Sequence, residues 1–175
     1  MAIDATIGGA GSNSYVTLAE AQEYFAGRLH CGAWAGASEG DRERALLTAC
    51  RHLERERYWD GDEGASGTQA LTFPRRRDRD EVGALVIPQP VKDAQCEEAL
   101  ALLARGAESE RRRALQAAGV TSFSVDGLSE QYAPGAAQQV IESAEARALL
   151  SPLVCRGGVI ATSERRAGEL TAGSG

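Results

Sequence analysis

Apolar residues recurring at spacings of three and four divide most of the chain into helices. In "SYVTLAEAQEYFAGRL", Leu18, Ala21, Phe25 and Leu29 share one helical face. Thr17 and Glu20 open it as a capping box, their side chains meeting backbone N–H groups that a helix start leaves free. A second helix is predicted from a Ser38 cap, with Ala45, Leu46, Ala49, Cys50 and Leu53 inward. Its outward residues are Arg42, Glu43, Arg51, Glu54 and Arg55, and it stops near Tyr58-Trp59-Asp60-Gly61. Pro90 suits the first turn of a third helix, whose stripe is Val91, Ala94, Leu100, Leu103 and Ala104. A fourth is predicted over roughly Ala137 to Leu150, with Val140, Ala144, Ala148 and Leu149 inward and Pro152 closing it.

Two stretches break this period. Between Gly61 and Gln89 no helical pattern persists, and Leu71 and Phe73 ahead of Pro74 predict a short extended piece tucked against the core. In "GVTSFSVDGLSEQY" the period drops to two, and Asp126-Gly127 is a two-residue hairpin signal because both positions tolerate positive φ. Two strands are predicted, the second running from Leu128 to Tyr132. A lone hairpin is marginal in water and needs another surface, so Val120, Phe123, Val125, Leu128 and Tyr132 are candidate subunit-interface residues. The expected fold is mainly α: a small bundle of about four helices with one short β-hairpin, an extended N-terminal arm and a C-terminal tail. Residues 1–13 read as a flexible arm, 14–153 as the helical domain with the hairpin near 119–132, and 154–175 as a tail with no core of its own.

A length of 175 residues fits one domain, and the 20 glycines gather outside the helical stretches. The net charge of −6 argues against a protein that coats DNA over its whole surface. Cys31, Cys50, Cys96 and Cys155 form no CxxC pair, and neither His30 nor His52 has ligand spacing to them. They read as reduced packing thiols, with no metal or cofactor expected. No basic region precedes an apolar run at the N-terminus, and no stretch reaches membrane-spanning length, so synthesis and assembly in the cytoplasm are expected, without a membrane partner.

No P-loop, dinucleotide-binding, GxSxG or HExxH motif is present, and the expectation is a non-enzymatic protein. Glu97-Glu98 and Glu54/Glu56 read as exposed helix faces. Arg75, Arg76, Arg77 and Arg79 are the local candidates for phosphate binding, offset by Asp78, Asp80 and Glu81. With Trp34, Tyr58 and Trp59 they outline a single-stranded DNA-binding alternative, although these aromatics lie beside apolar helical faces and read as core.

Taken in order, "SYVTLAEAQEYFAGRL", a following tryptophan, "RYWDG", "LTFPR", "VIPQPVKDAQCEEAL", "GVTSFSVDGLSEQY" and "LLSPL" resemble the head–tail connector, or adaptor, proteins of tailed bacteriophages. Some of these are described as DnaT-like single-stranded DNA-binding proteins. The resemblance covers roughly residues 13 to 153. It implies a structural protein of the virion neck that forms a ring, commonly of twelve copies, beneath the portal. The ring would extend a channel for double-stranded DNA and present a surface to the next neck or tail protein. By the same resemblance, Val159, Ile160, Arg165 and Arg166 in the tail are candidate portal contacts.

Overall fold

The computed structural model describes residues 2–56, 64–105 and 140–154, together with the backbone of 122–125 and 128–131. Among these residues there are five helices and one hairpin: α1 (Leu18–Ala26), α2 (Gly32–Gly36), α3 (Glu39–Leu53), α4 (Gln89–Ala104), β1 (Ser122–Val125), β2 (Leu128–Gln131) and α5 (Ala144–Leu150). The mainly helical expectation holds. None of these helices is long and apolar enough to cross a membrane.

The helix starts follow the predicted chemistry. At α1 the Thr17 side chain accepts from the Glu20 N–H while the Glu20 carboxylate accepts from the Thr17 N–H at 2.7 Å. Ser38 caps α3 by accepting from the Asp41 N–H, and Pro90 lies in the first turn of α4. Trp34, expected in an irregular connection, sits in the short α2, where Phe25 holds it at a ring separation of 4.3 Å. Arg42 is not simply solvated on α3. Its Nε and Nη2 donate to the carbonyls of Trp34 and Ala35, closing the end of α2, and its guanidinium lies 5.5 Å from the Trp34 ring.

Helix α4 packs on α3 and α5 and also touches α1 and α2. Two apolar clusters flank the α3–α4 pair. One joins Tyr15, Cys50, Leu53, Phe73, Val91, Ile141 and Leu150; the other joins Val16, Phe25, Trp34, Leu46, Cys96 and Leu100. Tyr15 and Val16, consecutive residues in a bend ahead of α1, enter different clusters. Phe73 is buried against Tyr15 in an edge-on contact, 6.0 Å between rings, so the segment before Pro74 tucks against the core as expected, but through bends at Leu71 and Thr72 rather than an extended run.

Three expectations need correction. The last helix begins at Ala144 rather than near Ala137, and it buries Ala146 and Leu150 while Ala144 and Ala148 are exposed. Its start is fixed by Ser143, whose hydroxyl accepts from the Ala146 N–H. Glu97 and Glu98 are buried, not outward. Residues 2–13, expected as a flexible arm, form a hydrogen-bonded loop. The Asp4 N–H donates to Asn13 Oδ1 at 2.8 Å, the Asn13 N–H donates to the Asp4 carbonyl at 2.9 Å, and the Gly9 carbonyl accepts from Ala70 at 3.1 Å.

The hairpin is antiparallel, with Val125 opposite Leu128 and Ser122 opposite Gln131, the register that a two-residue loop requires. Asp126, Gly127 and Tyr132 lie outside the described residues.

Candidate functional site

The basic segment is carried by a loop, 64–86, that is built from its own polar side chains. Gln69 is its organiser: Nε2 donates to the carbonyls of Leu71 (2.7 Å) and Pro74 (3.0 Å), and Oε1 accepts from the Ser66 N–H (3.0 Å). The Glu54 carboxylate ties the loop to α3, accepting from the Thr72 N–H and hydroxyl at 3.0 Å each and from the Tyr15 hydroxyl. Burial, with Glu54 beside it, drives the Tyr15 phenol well above its ordinary value. Glu54 is thus a buried-side tether rather than part of a solvated face.

The four arginines separate. Arg75 is buried, its guanidinium 5.0 Å from the Phe73 ring. Arg79 folds back, donating to the carbonyls of Arg76 (3.1 Å) and Gly83 (2.6 Å). Arg76 and Arg77 are exposed. Beyond them the chain makes a tight reversal. Asp80 Oδ1 accepts from the N–H groups of Val82 and Ala84, Gly83 takes a positive φ of 85°, and Val82 is exposed at the tip. The structure therefore does not bring the arginine run together as one patch. Trp34 is a core residue, and Tyr58 and Trp59 lie outside the described residues.

A second polar region runs through the middle of the molecule on α4. Gln95 Oε1 accepts from the Tyr15 N–H at 2.8 Å, and its Nε2 donates to Ser14 Oγ at 2.7 Å and the Leu46 carbonyl at 2.9 Å. Glu97 accepts from the Tyr24 hydroxyl at 2.7 Å and pairs with Arg28 of the α1–α2 connection. Burial raises the Glu97 carboxyl, but the bonds from Arg28 and Tyr24 outweigh it and hold the group below its ordinary range. Glu98 Oε1 lies 2.7 Å from His52 Nδ1 on α3, and Oε2 accepts from the N–H groups of Glu142 (2.9 Å) and Ser143 (2.8 Å). Glu142 pairs with Arg105. Gln95, Glu97 and Glu98 thus tie α4 to residues 14–15, to α1 and the connection after it, to α3 and to the entry to α5.

A cavity of about 280 Å³ lies between α1 and the start of α4, lined by Glu20, Glu23, Tyr24, Lys92, Asp93 and Cys96 among others. Lys92 reaches across to Glu20 at 2.6 Å, so part of its charge is already paired.

Residues 1–167 match the model of the family described as "Putative DnaT-like ssDNA binding protein". The chain belongs to that family. Nothing among the curated proteins and nothing among the solved structures matches it. The family match agrees with the DnaT-like part of the resemblance read from the sequence and carries nothing about a head–tail connector.

Of the other sequence candidates, Val120, Tyr132, Val159, Ile160, Arg165 and Arg166 lie outside the described residues, as do the side chains of Phe123, Val125 and Leu128. The polar core of α4 was not foreseen as a site, although a signal for it exists. Val91, Ala94, Cys96, Ala99, Leu100 and Leu103 place apolar residues at nearly every angle around α4. A helix apolar on all sides is a buried helix, so charges in its middle are buried with it.

Proposed function

We propose that the protein is a non-catalytic DNA-binding accessory that holds single-stranded DNA by its phosphates, with the 64–86 loop as the contact surface. The observation that carries this reading is the exposure of Arg76 and Arg77 on a loop fixed by Gln69 and Glu54, in a chain of the DnaT-like family. A fixed loop loses little conformational freedom on binding. Trp34 supplies no stacking platform, because it is packed against Phe25. Contact is then mainly electrostatic, tolerant of sequence and opposed by the net charge of −6. The test is fluorescence anisotropy with a labelled oligothymidylate. Binding should weaken steeply with salt and fall sharply on R76E/R77E, and an affinity unchanged in this double variant would refute the assignment.

A second reading, the ring-forming head–tail connector, is supported by the order of motifs over residues 13 to 153 and by the hairpin. The sheet among the described residues has two strands, so a neighbouring copy could extend it through a head-to-tail interface that closes into a ring. In that role the protein sits in the virion neck between portal and the next neck or tail protein, around passing double-stranded DNA. Mixing with portal particles and imaging by electron microscopy tests it: rings on the portal, lost on F123D, support the connector, and no association excludes it. Rings combined with no oligonucleotide binding would replace the first reading by the second.

A further inference from the structure

We propose that His52, Glu98 and Glu142 form a site for one divalent transition-metal ion of the zinc class, joining α3, α4 and the entry to α5. Each offers one ligand atom, and those atoms all lie within 4.8 Å of one another. Glu142 is 44 residues from Glu98 and His52 is 46, so no sequence motif announces the group.

An imidazole nitrogen with two carboxylates is a donor set that suits zinc and its neighbours rather than magnesium, which takes oxygen donors and keeps its waters. The surroundings are those of a ligand shell. The N–H groups of Glu142 and Ser143 fix Glu98 through Oε2 and leave Oε1 toward His52. Arg105 pairs with Glu142. Outer bonds of this kind orient metal ligands and set their basicity.

The carboxylates of Glu98 and Glu142 are 0% and 15% exposed, with Arg105 paired to Glu142 and Arg147 donating to the Ile141 and Glu142 carbonyls. For an ion about 2.0 Å from each ligand, the His52–Glu98 contact must open from 2.7 Å to about 3.3 Å, a side-chain adjustment.

The test is thermal unfolding of the full chain, first treated with chelator, with zinc or magnesium added at pH 7.5. At a hundredfold excess over Kd, zinc should raise Tm by about 5–10 °C. Magnesium should give no shift. H52N and E142Q, both at partly exposed positions, should each lose the zinc shift whatever their metal-free Tm. Cobalt should give visible bands without thiolate charge transfer, which separates the site from the cysteines. A Tm that does not respond to zinc would overturn the proposal. So would a zinc shift retained in both variants, or thiolate bands with cobalt. These readouts are independent of DNA binding.

Discussion

Replacing Glu98 with alanine in metal-free protein should lower stability by about 3–5 kcal/mol, far more than a typical surface change. The magnitude follows from what the carboxylate holds. Its Oε2 accepts from the N–H groups of Glu142 and Ser143, and its Oε1 meets His52 Nδ1, all from a side chain with no exposure. Alanine leaves these N–H groups without an acceptor where α5 joins α4, at about 1–3 kcal/mol for each buried group. The Ser143 cap rests on the same turn, so the start of α5 should loosen as well. Glu98→Gln is the control, since its amide oxygen can still serve both N–H groups while its NH₂ stays beside His52 Nδ1. It should cost only about 1 kcal/mol. Urea unfolding followed by far-UV circular dichroism measures both, and thermal unfolding should show a Tm loss for the alanine variant of about 6–20 °C. Equal stability of Glu98→Ala and wild type, or equal losses in the two variants, would refute the reasoning.

The arginines of the basic run should behave differently. R75A should cost about 1–2 kcal/mol by removing the buried guanidinium from the Phe73 ring, more than R76E at its exposed position. Burial pushes the Cys50 and Cys96 thiols up to about 12, so neither should react with a thiol reagent at pH 8 until the protein unfolds; labelling of either in the native state would contradict this packing. Glu97, held low by Arg28 and Tyr24 despite its burial, contributes stability above its unfolded value. That contribution is lost as pH falls through its lower folded value, so the urea midpoint should decline below about pH 4.5. Arg28→Met should flatten that acid limb, which a pH series of urea titrations would reveal.

The helices were legible where a local rule decides them. Thr17 with Glu20, Ser38 and Pro90 placed three helix starts, because capping and proline geometry act within one turn. The register of β1 and β2 was legible from Asp126-Gly127 for the same reason. The start of α5 was missed although its cap is local, Ser143 accepting from the Ala146 N–H, and Glu98, 45 residues away, adds a contact to the same turn that spacing does not show. Likewise Arg42 and Glu54 look like members of an alternating charged face, yet each reaches a carbonyl or N–H from a distant segment. The arginine run was visible as composition, but only the burial of Phe73 decides that Arg75 turns inward. The His52–Glu98–Glu142 group depends on three segments meeting and has no trace in spacing.

The salt dependence of single-stranded DNA binding tests the functional account most directly. Wild-type affinity should fall linearly on logarithmic axes, and removing Arg76 and Arg77 should reduce the slope by about 1.4, the value for two lost phosphate contacts on a single strand. An affinity that does not change with salt, or an unchanged slope in the double variant, would contradict it.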